Sequence, residues 1–465
     1  MSVTPNEPLY AVINLGTAYI SGMLARKHPN GRIYPLAQHR MPSSGCIRQG
    51  CVHNIDNAAC IIDSIIEVLS SSLPEQGRIN SVYVGLDCRS MASQPYTTQI
   101  DFGAQEQIIT QEHLDELRRQ AFAVQFPSLE VLHLSAPSYI LDGKREANPR
   151  GVRCRRLEAT YQLITVRKSI VSNVRQVFDE SLSLGISGIV PTPLTEAMLT
   201  LTNEEAILGS AFVNIGAGTT SLAIFHNRLL SALYVLPMGG GNVTRDLMSL
   251  KLIESDAERL KLSRGSMRLE GVDKEERVVG TSSTGERILK QIDINRLVAA
   301  RMNEILGNVF HVIEISGNED RVASGLVLSG GGSRIDHLTE ALASMEVPMR
   351  FGHIRADFVD ESVNPSLLRE YSAELSLVHF ATEDSLIYEP VSLEDLFESV
   401  QPEPKPSSAP TSVVESDEDE GYNFDEGNEK EVEEGTKPQP RRPKRPAWVR
   451  KASIFFQKFN ANDED

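Results

Sequence analysis

Residues 212–225 read Phe-Val-Asn-Ile-Gly-Ala-Gly-Thr-Thr-Ser-Leu-Ala-Ile-Phe, and this stretch decides the fold. Two apolar runs flank the glycines, which is typical of a buried strand, a tight turn and a second strand. Near the start of the chain, Tyr10–Asn14 (Tyr-Ala-Val-Ile-Asn) leads into Gly16 and Thr17, and Ile20–Leu24 (Ile-Ser-Gly-Met-Leu) follows. The two units begin about 200 residues apart, and a repeat at that distance predicts two similar lobes rather than a solenoid.

Strands and helices alternate along the rest of the first 385 residues. Apolar spacing predicts helices over 56–69, 169–184 and 292–315, with Asp56 as the N-cap of the first. Short apolar runs predict strands over 82–86, 157–165 and 325–329. The alternation indicates an α/β fold built from layers of sheet and helix.

Composition narrows the class of protein. The 465 residues are too many for one ordinary core, so two or more lobes are expected. The net charge of -17 argues against nucleic acid as a partner, because a phosphate backbone requires a basic footprint. No signal peptide is visible, and no window approaches the ~18 apolar residues of a membrane span. Membrane contact is therefore expected to be peripheral and from the cytoplasmic side.

The cysteines all lie in the first third of the chain. Their number is odd and no pair has Cys-x-x-Cys spacing, which favours reduced thiols in a cytosol. They are Cys46, Cys51, Cys60, Cys88 and Cys154.

The composition changes after about residue 390. Residues 401–410 are rich in Pro and Ser, and residues 415–434 are dominated by acids. Such a segment cannot bury enough apolar surface to offset its ordering entropy, which predicts a disordered acidic linker over 386–440. The charge then reverses in Arg441–Arg445 (Arg-Arg-Pro-Lys-Arg).

Residues 446–459 read Pro-Ala-Trp-Val-Arg-Lys-Ala-Ser-Ile-Phe-Phe-Gln-Lys-Phe. At ~100° per residue this sequence separates an apolar stripe from a basic face. Aromatic and basic faces beyond a linker suit a helix lying on an anionic membrane, so residues 441–460 are predicted to form a membrane-targeting amphipathic helix. The apolar membrane contacts are Trp448, Val449, Ala452, Phe455, Phe456 and Phe459, and the basic contacts are Arg450, Lys451 and Lys458.

An alternative interpretation of the tail stays open. The same apolar stripe could dock on the protein's own body or on a partner protein. The basic run Arg441–Arg445 favours the membrane, because a helix that docks on its own body does not need it.

Three glycine clusters in the body point to phosphate chemistry. They are Asn14–Thr17, Asn214–Ser221 and Gly330–Ser333, the last directly after a predicted strand. Turns of Gly and Thr expose backbone N–H groups and hydroxyls that can surround phosphate oxygens. No Walker A sequence is present, so a P-loop is not expected. Each cluster alone is more often an ordinary turn, whereas all three in this order are far more specific.

With these clusters in place, the sequence resembles the actin-like ATPase superfamily and, within it, the FtsA family of bacterial cell-division proteins. The three clusters resemble the phosphate-1 hairpin, the phosphate-2 hairpin and the adenosine loop. The resemblance covers nearly all of residues 9–385, and the linker and tail match the family's architecture. Further stretches that carry it are Ile47–Asp56, Tyr139–Gly143, Asn148–Gly151, Pro237–Asp246 and Ala257–Lys261.

The resemblance implies a two-lobed actin-like fold, a duplicated ribonuclease H-like core with an inserted subdomain called 1C. The implied division of the chain is 1–87 for the first part of lobe 1, 88–168 for 1C, 169–205 for the continuation of lobe 1, 206–385 for lobe 2 with subdomain 2B at about 247–310, then linker and tail.

The resemblance also implies a function. The chain would bind ATP or ADP between its lobes, assemble into filaments and tether FtsZ filaments to the cytoplasmic face of the cell membrane at the division site. The C-terminal peptide of the tubulin-like FtsZ would dock on 2B, and 1C would contact the next protomer or other division proteins. The expected nucleotide contacts are Asn14, Gly16, Thr17, Asn214, Gly216, Gly218, Thr219, Thr220, Glu258, Lys261, Gly330, Gly331 and Gly332.

The chain departs from the family where acids are expected. Actin-like ATPases begin each phosphate hairpin with an acidic residue that holds hydrated Mg²⁺, and here the positions are Asn14 and Asn214. The family's Glu-Pro-Leu-Ala stretch reads Thr192–Thr195 (Thr-Pro-Leu-Thr). We therefore expect nucleotide binding with very weak or absent hydrolysis, no catalytic residue, and Mg²⁺ held weakly through water.

Two other functions remain possible at this point. One is a phosphotransferase or ATPase of the same superfamily, against which the missing acids and the tail speak. The other is a pilus-assembly actin-like protein, which reaches the membrane through a partner rather than through its own helix.

Overall fold

The computed structural model describes residues 8–73 and 79–382, together with Trp448, Val449 and Ala452. The predicted acidic linker over 386–440 and most of the predicted terminal helix lie outside these residues.

The described strands in chain order are β1 (Leu9–Leu15), β2 (Tyr19–Lys27), β3 (Ile33–Pro42), β4 (Ile47–Arg48), β5 (Cys51–Val52), β6 (Ser81–Leu86), β7 (Ala92–Asp101), β8 (Gln107–Ile108), β9 (Leu129–Leu134), β10 (Ser138–Leu141), β11 (Lys144–Glu146), β12 (Arg153–Cys154), β13 (Arg156–Arg167), β14 (Gly185–Pro191), β15 (Ser210–Ile215), β16 (Thr220–His226), β17 (Leu229–Leu236), β18 (Arg277–Ser282), β19 (Gly285–Lys290), β20 (Leu326–Ser329) and β21 (Met349–Phe351).

The described α-helices are α1 (Ile55–Ser70), α2 (Gln111–Phe122), α3 (Lys168–Arg175), α4 (Thr192–Thr200), α5 (Asn203–Leu208), α6 (Gly240–Met248), α7 (Glu254–Arg264), α8 (Gln291–Ile315), α9 (Leu338–Ser344), α10 (Leu367–Glu370) and α11 (Ser372–Phe380).

The two lobes contain sheets of the same topology. In lobe 1 the strand order is β3-β2-β1-β6-β14, and in lobe 2 it is β17-β16-β15-β20-β21. In each sheet the first three strands are antiparallel and the last two run parallel to the central one. Even the hairpin registers agree, because Asn14 faces Ser21 and Asn214 faces Ser221. The predicted duplication, and with it the two-lobed actin-like α/β fold, is confirmed.

A smaller unit is inserted between β6 and β14. Its central strand β13 pairs with β7, β9 and β10, and α2 packs on the sheet over a separate apolar core that includes Leu117 and Tyr161. Ala92 of β7 pairs with Tyr234 of β17, so the inserted sheet continues the sheet of lobe 2. These strands lie within the span predicted for 1C.

Two local predictions were wrong. The first helix is capped by Asn54, whose side chain accepts the N–H of Asn57 at 2.9 Å, whereas Asp56 already lies inside α1. The helix predicted over 169–184 is α-helical only to Arg175 and continues as a π-helical turn over Gln176–Ser181. The wider turn carries two buried apolar side chains into the lobe 1 core, a requirement that helical periodicity does not reveal.

The lobes are joined where helices α4 and α11 cross. Thr195 and Ser376, both fully buried, meet there with 2.8 Å between their hydroxyl oxygens. Small hydroxyl side chains let the two helices approach closely while each polar group keeps a partner. All five cysteines are free thiols in the structure.

Candidate functional site

A cavity of about 1740 Å³ lies between the lobes. Lobe 1 contributes Thr17, and lobe 2 contributes Gly218, Glu258 and Lys261. These four residues come from two strand turns and one helix that lie far apart in the sequence. A cleft of this size at a lobe junction, lined by convergent polar groups, is the usual place for a small-molecule ligand.

The first hairpin turn requires glycine and reaches across to the other lobe. A Cβ on Gly16 would lie 2.5 Å from the carbonyl oxygen of Tyr19. The next residue, Thr17, accepts the N–H of Gly50 at 3.0 Å through its hydroxyl. A Cβ on Gly218 would lie 2.6 Å from that same hydroxyl oxygen. The tips of the two hairpins therefore touch each other across the cleft.

The second hairpin is supported by a glycine loop at the start of α6. Within the turn, the N–H of Gly216 donates to the carbonyl of Thr219 at 2.8 Å. The N–H groups of Gly240 and Gly241 donate to the carbonyls of residues 216 and 217, each at 2.8 Å. A Cβ on Gly239 would lie 2.4 Å from the carbonyl oxygen of Gly216. Only glycine permits this approach of two backbones.

The third glycine cluster packs against the base of the second hairpin. Gly330 has φ 83° and ψ 166°, a region essentially restricted to glycine. A Cβ there would lie 2.4 Å from Asn214 Oδ1 and from the carbonyl oxygen of Ile215. A Cβ on Gly332 would meet the Ile215 side chain at 2.4 Å, whereas Gly331 is exposed and faces open space.

Glu258 and Lys261 form an ion pair on α7 at the edge of the cavity. Lys261 Nζ lies 2.6 Å from Glu258 Oε2 and donates to Thr244 Oγ1 at 3.0 Å and to the carbonyl of Gly240 at 3.2 Å. The lysine is 8% exposed. A buried ammonium needs such partners, and here they place a positive charge beside the glycine loop that supports the second hairpin.

The two asparagines that replace the expected acids contact buried glutamates. Asn214 Nδ2 donates to Glu196 Oε2 at 2.6 Å, and Glu196 Oε1 accepts the Ser372 hydroxyl at 2.5 Å. In lobe 1, Asn14 hydrogen-bonds Glu374, which also accepts the Ser21 hydroxyl. Glu196 lies on α4 and Glu374 on α11, so each lobe-joining helix supplies one carboxylate to one hairpin.

Burial changes the protonation of these groups. It raises the pKa of Glu196 to about 7, although the hydrogen bonds from Ser372 and Asn214 oppose the shift. Burial also raises the pKa of Glu374. Both residues are 2% exposed, so the ionised form of each carboxyl group loses most of its hydration.

A third carboxylate, Asp87, links the lobes. It follows β6 of lobe 1, and its oxygens accept the hydroxyl of Ser221 at 2.6 and 2.7 Å and that of Thr219 at 3.4 Å in lobe 2. Burial raises the pKa of Asp87 to about 6, against the effect of these hydrogen bonds. The contact ties the second hairpin to the strand beside the first one.

The sequence alone did not predict a role for Glu196, Glu374 or Asp87 in this site. Sequence reasoning interpreted Thr192–Thr195 as a segment that lacks its acid, yet Glu196 follows directly and reaches the hairpin from one turn further along α4. Asp87 carried a usable signal, since it stands at the carboxyl end of a predicted strand. Glu374 carried none, because it is distant in the chain and lies in an unremarkable helix.

The predicted ligand residues do not all face the cavity. Thr220 is fully buried and donates its hydroxyl to the carbonyl of Met238 at 2.9 Å. Thr219 is buried against Asp87, and the two asparagines are held by glutamates. Within the described residues, no cluster of His, Cys, Asp or Glu has the arrangement of a metal site.

Three residues of the tail are placed against lobe 2. Trp448, Val449 and Ala452 are helical and buried, and they belong to the same apolar cluster as the lobe 2 core. The other predicted tail contacts, Arg450, Lys451, Phe455, Phe456, Lys458 and Phe459, lie outside the described residues. Among the helices described, none is both long and apolar enough to cross a bilayer.

Two known families match two different parts of the chain. The family described as "Cell division protein FtsA" matches residues 211–372. The family described as "SHS2 domain inserted in FTSA" matches residues 89–165, which cover the inserted unit.

Curated proteins with the same description match most of the chain. It is 39% identical over 403 residues to the cell division protein FtsA of Porphyromonas gingivalis, covering 84% of this chain and 82% of that protein. It is 25% identical over 399 residues to the cell division protein FtsA of Escherichia coli, covering 82% and 92%.

A solved structure agrees with the fold. The chain resembles one in the PilM-PilN type IV pilus biogenesis complex with a TM-score of 0.52 at 17% identity, covering 80% of this chain and 97% of that one. At this identity the likeness shows the fold alone.

Alanine at Gly330 should destabilise lobe 2, because the backbone there is glycine-only and a Cβ meets Asn214 and Ile215. We expect Gly330→Ala to lower the free energy of unfolding by about 2–4 kcal/mol in urea titrations. The matched control is Gly331→Ala, which adds a methyl group in open space and should change stability by less than about 0.5 kcal/mol. Equal effects of the two variants would contradict the assignment.

Glutamine at Glu196 should reduce the pH dependence of stability. The pKa of Glu196 in the fold, about 7, exceeds its unfolded value, so its contribution is full below the unfolded pKa and is lost as pH rises through about 7. Glu196→Gln should therefore gain about 2 kcal/mol over the wild type at pH 8 and little at pH 5. Urea unfolding at both pH values checks this, with the exposed Glu204→Gln as control. Parallel shifts at both pH values would contradict it.

Proposed function

Since this chain belongs to the FtsA family of actin-like cell-division proteins, we propose that it is the membrane tether of a division filament. It binds ATP between its lobes, assembles with copies of itself and holds FtsZ filaments at the cytoplasmic face of the membrane during septum formation. The observation that carries the proposal is the cleft, in which two glycine hairpins, a glycine loop and the Glu258–Lys261 pair converge.

The cleft suits a nucleotide. Glycine at 16, 216 and 218 keeps side chains out of the two turns, and backbone N–H groups of such turns can bind phosphate oxygens, although the N–H of Gly216 already donates to the carbonyl of Thr219. Thr17 and Thr219 stand beside them. Lys261 supplies the positive charge and Glu258 the acceptor for a ribose, while Gly330, Gly331 and Gly332 border the base. The two hairpin tips touch each other, so phosphates entering between them would have to separate the lobes.

Hydrolysis is proposed to be weak or absent. Asn14 and Asn214 offer no negative charge to Mg²⁺, and each uses its amide to bind a buried glutamate. Both oxygens of Glu196 are occupied by Asn214 and Ser372, so this carboxylate is not a free base for the attacking water. Mg²⁺ would be held through water and phosphates only.

The partners follow from the family. FtsZ would bind through its C-terminal peptide to subdomain 2B, at about 247–310. The 1C unit at 88–168 would contact the next protomer or other division proteins. The tail would bind anionic lipids through the aromatic stripe from Trp448 to Phe459 and through its basic residues, which places the filament at the membrane of the division site.

Two alternatives are less well supported. A phosphotransferase needs a catalytic base that faces a second substrate, and Glu196, Glu374 and Asp87 are each engaged by side chains at the lobe junction. A pilus-assembly protein shares the fold at 17% identity, whereas the relative at 39% identity is a cell-division protein.

Methionine at Lys261 should weaken nucleotide binding, since it keeps the aliphatic stem but removes the charge beside the glycine loop. We expect Lys261→Met to raise the Kd for fluorescent ATP at least about tenfold, which corresponds to the loss of one charge-assisted contact. The control Lys274→Ala changes an exposed lysine and should leave the Kd unaltered. ATP turnover measured in the same samples should stay near background for every variant, and rapid turnover by the wild type would refute weak hydrolysis.

The tether is tested by flotation with anionic liposomes and FtsZ. The wild type should float and carry FtsZ with it, while FtsZ lacking its C-terminal peptide should remain at the bottom. Replacing Trp448 and Phe455 by Glu should abolish flotation, because two charges in the apolar stripe oppose burial in the bilayer. Undiminished flotation of this variant would indicate a membrane partner instead of a direct anchor.

A further inference from the structure

Three residues of the apolar face of the tail pack on lobe 2. Trp448, Val449 and Ala452 are 7%, 3% and 0% exposed and join the lobe 2 core cluster. The indole ring of Trp448 meets the ring of Phe310, on α8, edge to face, with 6.0 Å between centroids and 73° between planes. Spacings of this kind are typical of packed aromatic pairs in protein cores.

The same three residues lie on the stripe that membrane binding requires. A side chain that is buried against lobe 2 cannot at the same time be buried in a bilayer. The two sites therefore exclude each other for one copy of the tail.

We propose that lobe 2 carries a docking groove beside Phe310 for the chain's own terminal helix, and that this groove and the anionic membrane compete for one apolar face. This inference rests on the proposed membrane role of the tail. In the absence of lipid, Trp448, Val449 and Ala452 are docked on lobe 2. On the membrane they leave, and the groove on lobe 2 is exposed.

The docked state contains an unsatisfied polar group, which favours release of the helix to the membrane. Among the residues that the structure describes, Trp448 Nε1 is buried and has no hydrogen-bond partner. An unsatisfied buried donor lowers the stability of the docked state. At a membrane surface the indole N–H can meet headgroups and water, as tryptophans in interfacial belts do. The helix therefore stays bound to the groove in water and is released from it when lipid is present.

The chain is long enough to serve both sites. Sixty-five residues, 383–447, separate the body from Trp448. A segment of this length can span roughly 200 Å when extended, so it can deliver the helix to lobe 2 or to a bilayer. Because both ends belong to one chain, docking is intramolecular and does not depend on protein concentration.

A substitution at Ala452 can distinguish docking on lobe 2 from binding to the membrane. It is fully buried on lobe 2, where a larger side chain would be crowded. In the bilayer a larger apolar side chain adds burial. Ala452→Leu should therefore weaken docking and strengthen membrane binding.

The protein contains one tryptophan, which reports both sites. Without lipid, Trp448 of the full chain should be at least twofold less quenched by acrylamide than Trp448 of a synthetic 441–460 peptide, at every protein concentration. In full-length Ala452→Leu this protection should be reduced. Protection that is missing, or that appears only at high concentration, overturns docking on the chain's own lobe.

Vesicles of phosphatidylglycerol with brominated acyl chains complete the test, because they quench Trp448 only when it is inserted. The factor by which Ala452→Leu raises vesicle affinity should be at least fivefold larger for the full chain than for the peptide, because only the full chain has a docked state that the substitution can weaken. If Ala452→Leu raises vesicle affinity by the same factor in the full chain and in the peptide, the proposed competition is wrong. If neither inserts, the proposed membrane role fails, while acrylamide protection still decides whether the groove exists.

Discussion

Two contacts, each between an asparagine amide and a buried glutamate, hold the two glycine hairpins to the helices that join the lobes. Asn214 is bound by Glu196 of α4, and Asn14 by Glu374 of α11. The helices themselves meet through the hydroxyls of Thr195 and Ser376. Since a buried polar group without a partner is costly, no member of this layer can move far without its neighbour. The position of each hairpin is therefore tied to the position of the other lobe.

The same layer explains the chemistry proposed for the cleft. Asparagine in place of an acid removes charge at the hairpin, and the helix glutamates that accept its N–H carry raised pKa values because they are buried. These carboxyl groups therefore lie in the lobe junction, where burial favours their neutral form.

The inserted unit and the tail both meet lobe 2. The strand β7 extends the sheet of lobe 2, and Trp448 packs on α8 of the same lobe. Lobe 2 therefore contacts the cleft proposed to bind nucleotide, the unit proposed to contact neighbours and the segment proposed to bind lipid. These contacts give one lobe a physical connection to all three sites.

The duplication of the hairpin unit, the α/β class and the glycine turns were predictable from the sequence, because strand periodicity and glycine spacing are local properties. The apolar stripe expected in the tail is likewise a local property of the sequence. Long-range contacts decided the remainder. Glu196, Glu374 and Asp87 became part of the site only when helices and strands distant in the chain were packed together. Likewise, the helical pattern defined which face of the tail is apolar, while only the tertiary structure places three of its residues on lobe 2, because burial depends on which surface the folded chain offers.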